Sequence, residues 1–212
     1  MMPAAARERT ERRDPCGVPG WMRATVVTFH LEMTDPSALH RVPLEGKNLD
    51  VQRAEIPSPE LNRFFYTAVG GDWRWVDRLG WSFERWMRWL DRDEVETWIA
   101  SVSGTPAGYF ELEAQPGGSV EIAYFGLLPR FTGRRLGGAL LTLAVERAWA
   151  RGARRVWVHT CTLDHPGALQ NYRARGFRVF KEETSEVEIS DLPPGPWPGA
   201  HRERETGASD EG

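Results

Sequence analysis

The chain predicts an α/β protein of the α+β kind, with a mixed central sheet of about six or seven strands and about four helices. Three observations carry that prediction. An apolar strand at residues 120–128 runs into a glycine-rich basic turn and then into an amphipathic helix. Strand-like segments at 94–103, 107–113 and 120–128, parted by Gly104-Thr105-Pro106 and Pro116-Gly117-Gly118, read as an antiparallel meander. Helix and strand signals then alternate on either side of that meander.

Taken in order, residues 1–21 are rich in Arg, Glu, Pro and Ala without periodicity and read as a disordered tail, with Cys16 an unstructured thiol. Residues 25–33 carry the β-branched and aromatic side chains of a first strand. A loop with Pro36, Pro43 and Gly46 follows, and residues 49–56 fit a short strand. Ser58 or Pro59 starts a helix carrying Leu61, Phe64, Phe65 and Ala68, which Gly70-Gly71 ends. Ser82 suits an N-cap, and Phe83, Trp86, Met87 and Leu90 fall on one face of a second helix, with Phe83, Trp86 and Leu90 read as core.

After the meander, Leu136, Leu140, Ala144 and Ala148 recur every four residues, with Leu141 and Val145 beside them. That is the buried stripe of a helix ended by Gly152. A strand at 154–160 and a helix from about Pro166 to Arg175-Gly176 come next, then short strands at 177–180 and 186–189. Residues 22–190 read as one domain, and residues 191–212 as a second disordered tail.

Chemistry concentrates at 129–138, Pro-Arg-Phe-Thr-Gly-Arg-Arg-Leu-Gly-Gly. Gly133, Gly137 and Gly138 let main-chain N–H groups approach a ligand. The start of the following helix adds partial positive charge, and Arg130, Arg134 and Arg135 add full charges. The turn suits an anion such as a diphosphate. It fits neither the nucleoside-triphosphate loop nor the dinucleotide fingerprint.

Thr132-Gly133-Arg134-Arg135-Leu136-Gly137 resembles the acyl-CoA-binding turn of the GNAT superfamily of N-acetyltransferases, Gln/Arg-x-x-Gly-x-Gly/Ala. Thr132 stands where Gln or Arg is usual, and Arg135 stands where glycine is usual. Ala168-Leu169-Gln170-Asn171-Tyr172-Arg173-Ala174-Arg175-Gly176-Phe177 resembles the second family signature, Ala-Leu-x-x-Tyr-x-x-x-Gly-Phe. The resemblance spans roughly residues 25–189. It implies the family fold and acetyl-CoA as cosubstrate, with direct transfer of the acetyl group to an amine. Arg130, Gly133, Arg134, Arg135, Gly137 and Gly138 would hold the phosphates. Tyr172 would be the general acid that protonates departing CoA. A main-chain N–H between Phe125 and Leu127 would polarise the thioester carbonyl. Glu121, early on the strand that leads to the turn, is the first candidate for general base, with His165 as the alternative.

Six of the ten tryptophans lie between Trp73 and Trp98. Trp73 and Trp75 sit in a loop with Asp72 and Asp77, an arrangement suited to a cationic amine, although loop tryptophans also plug core edges. Asp164 and His165 fit the cap of the last helix and the mouth of the cleft, where either could touch substrate. Within 159–165, His159, Cys161, Asp164 and His165 raise zinc as an option, but no second Cys/His cluster completes a tetrahedron, and no metal is expected. Cys161 as a nucleophile paired with a histidine is a further alternative.

Near balance between 27 basic and 30 acidic residues argues against a nucleic-acid partner. No apolar run approaches the roughly 20 residues that span a bilayer. With neither a secretory leader nor a disulfide framework, the expectation is a cytoplasmic enzyme free of membrane, compatible with a homodimer. A small amine is the expected acceptor. A peptide or protein amine, and a catalytically silent CoA sensor or scaffold, are the alternatives.

Overall fold

The computed structural model describes residues 20–190 and Pro194. The remainder of the two expected tails, Cys16 included, lies outside the described residues. Seven strands form one sheet: β1 (Trp21–Met33), β2 (Leu49–Arg53), β3 (Val95–Val102), β4 (Thr105–Gln115), β5 (Ser119–Leu127), β6 (Arg155–Cys161) and β7 (Arg178–Ser190). Their order is β2-β3-β4-β5-β6-β1-β7. Every neighbouring pair is antiparallel except β5 and β6. Helices α1 (Pro59–Gly70), α2 (Phe83–Leu90), α3 (Gly137–Ala150) and α4 (Ala168–Ala174) complete the fold. Among the described residues no helix is long and apolar enough to cross a membrane.

The stripe read in the sequence is the inner face of α3. Leu140, Leu141, Ala144, Val145 and Ala148 are buried against Leu112, Val120, Ile122, Val156 and Val158 of the sheet. Each buried leucine contributes about 1.5–3 kcal/mol, which fixes the helix across the parallel pair. The opposite layer holds α1 and α2. Ser58 Oγ accepts the Leu61 N–H at 3.3 Å with Pro59 at the first helical position, and Ser82 Oγ accepts the Arg85 N–H at 3.3 Å.

Four local expectations are corrected. Phe83 is 55% exposed while Trp86 is 2% exposed. Phe83 lies in the first turn of an eight-residue helix, and Trp81 of the preceding loop, not Phe83, stacks edge-on against Trp86 at 5.1 Å. The first strand begins at Trp21, because residues 21–27 pair with the far half of β7. The two short final strands are one, β7. Its charged middle is polar enough for a loop, yet it pairs with β1 through a single register shift at His30/Leu31. Charge on an edge strand also discourages pairing with other chains. The last helix starts at Ala168, so Pro166 lies in the turn before it.

Candidate active site

Strands β5 and β6 pair only through Ser119↔Arg155, Val120↔Val156 and Glu121↔Trp157, and then part. The cause is local. Between Glu111↔Tyr124 and Leu112↔Ile122, β5 carries one extra residue, Ala123, against β4, and such a bulge bends its strand. The gap opens into a cavity of about 620 Å³ that runs from the glycine turn to the tryptophan loop.

At one end the cavity is walled by Thr132, Gly133, Arg135, Leu136 and Gly137. Here α3 begins with no side-chain cap and no acidic residue in its first turn. Its leading N–H groups therefore lack an internal acceptor and carry the positive end of the helix dipole. A Cβ on Gly133 would meet nothing within 4 Å, so the turn leaves room for a ligand. Arg135 takes φ 59° and Gly133 φ 73°. The non-glycine residue noted in the sequence is thus held in the left-handed region. Arg130, Arg134, Arg135 and Arg175 form no ion pair among the described residues.

Arg175 carries no local signal in the sequence. Its guanidinium lies so close to the first turn of α3 that a Cβ on Gly138 would sit 2.3 Å from Nη1. Its Nε is buried without a partner. Cations gathered at a helix N-terminus repel one another and the dipole unless an anion joins them. This donor set fits a diphosphate.

Tyr172 lines the middle of the cavity, buried edge-on against Phe125 and Phe177. Burial holds its phenol well above the usual tyrosine range, so it stays protonated. Its hydroxyl makes no hydrogen bond within the described residues. Phe125, Gly126 and Leu127 of β5 line the same stretch.

The far end is built by two loops. Trp75 Nε1 donates to Asp164 Oδ1 at 3.3 Å, and the Trp73 and His165 rings meet edge-on at 5.0 Å. Asp164 does not cap the last helix, whose N-cap position is Gly167. It instead terminates β6, where its Oδ2 accepts Thr160 Oγ1–H at 2.7 Å and the Cys161 N–H at 2.9 Å. Asp77, Tyr124 and His159 also line this end; the sequence points to Asp77 for a cationic amine and raises His159 only as a zinc option, and it carries no signal for Tyr124.

Behind this wall, Arg78 and Glu111 form a bidentate pair at 3.0 and 2.9 Å. Trp89 Nε1 and Asn62 Nδ2 also donate to Glu111, at 2.8 and 3.4 Å. The guanidinium lies 4.3–5.4 Å from the rings of Tyr124, Trp89, Trp81 and Trp86. The buried pair therefore ties the loop bearing Trp73, Trp75 and Asp77 to the sheet.

Most of the residues singled out in the sequence are thus brought together. Arg130, Arg134, Arg175 and Gly138 flank the turn without lining the cavity, and neither does Glu121. Glu121 Oε2 accepts from Gln115 Nε2 at 2.8 Å. Burial, then the charge of Glu113, push its carboxyl up to about 7.

A model of the acetyltransferase (GNAT) family matches residues 59–177. An uncharacterised N-acetyltransferase of Methanocaldococcus jannaschii is 30% identical over 118 residues, covering 50% of this chain and 51% of that protein. The chain thus spans about half the length of that curated relative. Among solved structures, a GCN5-related N-acetyltransferase from Sphaerobacter thermophilus superposes with TM-score 0.55 and 22% identity, over 83% of this chain and 54% of that one. A GCN5-related N-acetyltransferase from Kribbella flavida gives TM-score 0.54 and 19% identity, over 83% and 61%. These two likenesses concern the fold.

Proposed function

We propose, since the chain belongs to the acetyltransferase (GNAT) family, that it is an acyl-CoA-dependent N-acyltransferase. It moves an acetyl group from acetyl-CoA to the amine of a small molecule by direct attack. The observation that carries this reading is the single cavity joining an uncapped helix start that bears Arg135 to a far wall of tryptophans, the carboxylates of Asp77 and Asp164, and Arg74. Acetyl-CoA supplies the activated acyl group. On this reading, main-chain N–H groups at 133–137 with Arg135, and Arg175 beside them, hold its diphosphate. The β5 backbone near Phe125 to Leu127, freed where β6 departs, offers an N–H to the thioester carbonyl. Tyr172 gives its phenolic proton to the departing sulfur. Trp73, Trp75, Asp77 and Asp164 supply rings and carboxylates suited to an amine that arrives as a cation.

The test is a panel of primary amines with acetyl-CoA, followed by release of free thiol. Thiol release that needs both an amine and Tyr172 supports the enzyme. Undetectable CoA binding by calorimetry overturns the class, and tight CoA binding with no turnover on any amine favours a silent CoA sensor.

A further inference from the structure

An ammonium must lose a proton before it can attack; the Asp164 carboxylate is engaged by Trp75, Thr160 and the Cys161 N–H, Asp77 supplies charge to the acceptor end, and three further groups near the cavity could take the proton. Glu121 does not line the cavity and is held by Gln115. His165 accepts the Gly167 N–H on Nδ1 at 2.9 Å, so its ring proton sits on Nε2 and its lone pair is engaged. His159 differs from both. It lies on β6 two residues beyond the last β5–β6 pair, lines the cavity, and is open to solvent. Its ring makes no hydrogen bond within the described residues. Strand alternation sets it on the same face as Trp157 and Cys161.

We propose that His159 is the general base of the amine acetylation proposed above, taking the proton of the acceptor ammonium where β5 and β6 part. The assignment rests on that reading of the site. The groups around the ring are His30 of β1 at 6.1 Å between centroids, Trp157 at 6.1 Å, Cys161, Asp77 and Asp164. His30 is itself held by Glu183 of β7 at 2.7 Å. The cleft walls withhold part of the water from His159, which still reaches solvent at the cleft mouth, and this partial desolvation lowers its pKa; His30 lowers it further, against the pull of Asp164 and Asp77. The imidazole therefore stands neutral near neutral pH, as a base must.

The protons balance. Of the three on the ammonium nitrogen, one passes to His159 and then to solvent. The nitrogen lone pair forms the C–N bond as the C–S bond breaks. Tyr172 gives its proton to the sulfur, and the second nitrogen proton restores Tyr172. The third stays on the amide.

Two acceptors of matched shape separate base catalysis from packing. Benzylamine is an ammonium near neutral pH, whereas phenylhydrazine, with NH in place of CH2, is already neutral. His159→Gln is expected to lower kcat with benzylamine by about a hundredfold or more and to abolish the acid limb of the kcat/KM profile. It should change the rate with phenylhydrazine only a few-fold and leave CoA affinity intact. Equal losses with both amines, or no loss with benzylamine, overturn the assignment.

If neither amine is turned over, bromoacetyl-CoA gives a reading that needs no acceptor. Near neutral pH the His159 imidazole is free, while Cys161, whose pKa burial raises, remains a thiol. Peptide mass spectrometry should find the label on His159; a label on His165, Cys161 or Glu121 overturns the proposal. Wild-type protein that binds no CoA overturns the acyltransferase reading itself, a failure distinct from mislabelling.

Discussion

Arg78→Met is the sharpest test of how the acceptor wall is held. The variant keeps most of the apolar bulk inside the ring of Tyr124, Trp81, Trp86 and Trp89 but removes the only cation that pairs with Glu111 among the described residues. The Glu111 side chain is 1% exposed and that of Arg78 is 6%. Water therefore cannot replace the lost partner, and only Trp89 and Asn62 remain as donors. Breaking such a pair from one side costs about 3–5 kcal/mol. In a domain of this size each kcal/mol is about 2–4 °C in Tm, so the expected fall is roughly 6–20 °C. Replacing both partners, Arg78→Met with Glu111→Leu, removes the stranded carboxylate and should recover most of the loss. Differential scanning calorimetry reads both variants, and CoA titration should show unchanged affinity because the glycine turn lies at the other end of the cavity. A single variant within about 1 kcal/mol of wild type, or a double variant no better than the single, would refute the claim that charge pairing fixes this wall.

Three further outcomes follow from the same geometry. Tyr172→Phe should cut turnover about a hundredfold or more while CoA affinity, by calorimetry, stays within about twofold. Arg135→Gly should move two observables in opposite directions. Stability in urea rises by about 1 kcal/mol because glycine suits the left-handed φ of 59°, while CoA binding weakens about tenfold through loss of a charged donor. Glu121, raised by burial and then by Glu113 to about 7, contributes stability below the ordinary carboxylate range that is lost as pH rises through about 7. Glu121→Gln should therefore match wild type in acid and exceed it in alkali by at most about 3 kcal/mol, read by urea unfolding at both extremes.

How far the chain could be read residue by residue depended on whether function and local pattern coincide. The α3 stripe from Leu140 to Ala148 and the turn at 133–138 were legible, because a helical repeat and a run of glycines with arginines are both local signals. Tyr172 was legible as a candidate only through the resemblance of residues 168–177 to the second family signature. The single strand β7 was not, since its exposed polar middle lacks alternation and is ordered only by pairing with β1. Asp164 looked like a cap because it precedes a helix. Its real partners, Trp75 and Thr160, come from a distant loop and from the end of β6. His159 carried no local sign of being a base. What distinguishes it is that β5 and β6 separate just before it, and that separation depends on Ala123 bulging against β4. Arg175 reads as one more surface arginine until the close approach of Gly138 places it at the start of α3.

The central claim concerns the start of α3, and isothermal titration of the wild-type chain with CoA and with pantetheine tests it most directly. The account predicts saturable binding of CoA that weakens as salt rises, and binding of the diphosphate-free pantetheine weaker by at least about tenfold. Equal affinity for the two, or no heat with CoA, would contradict it.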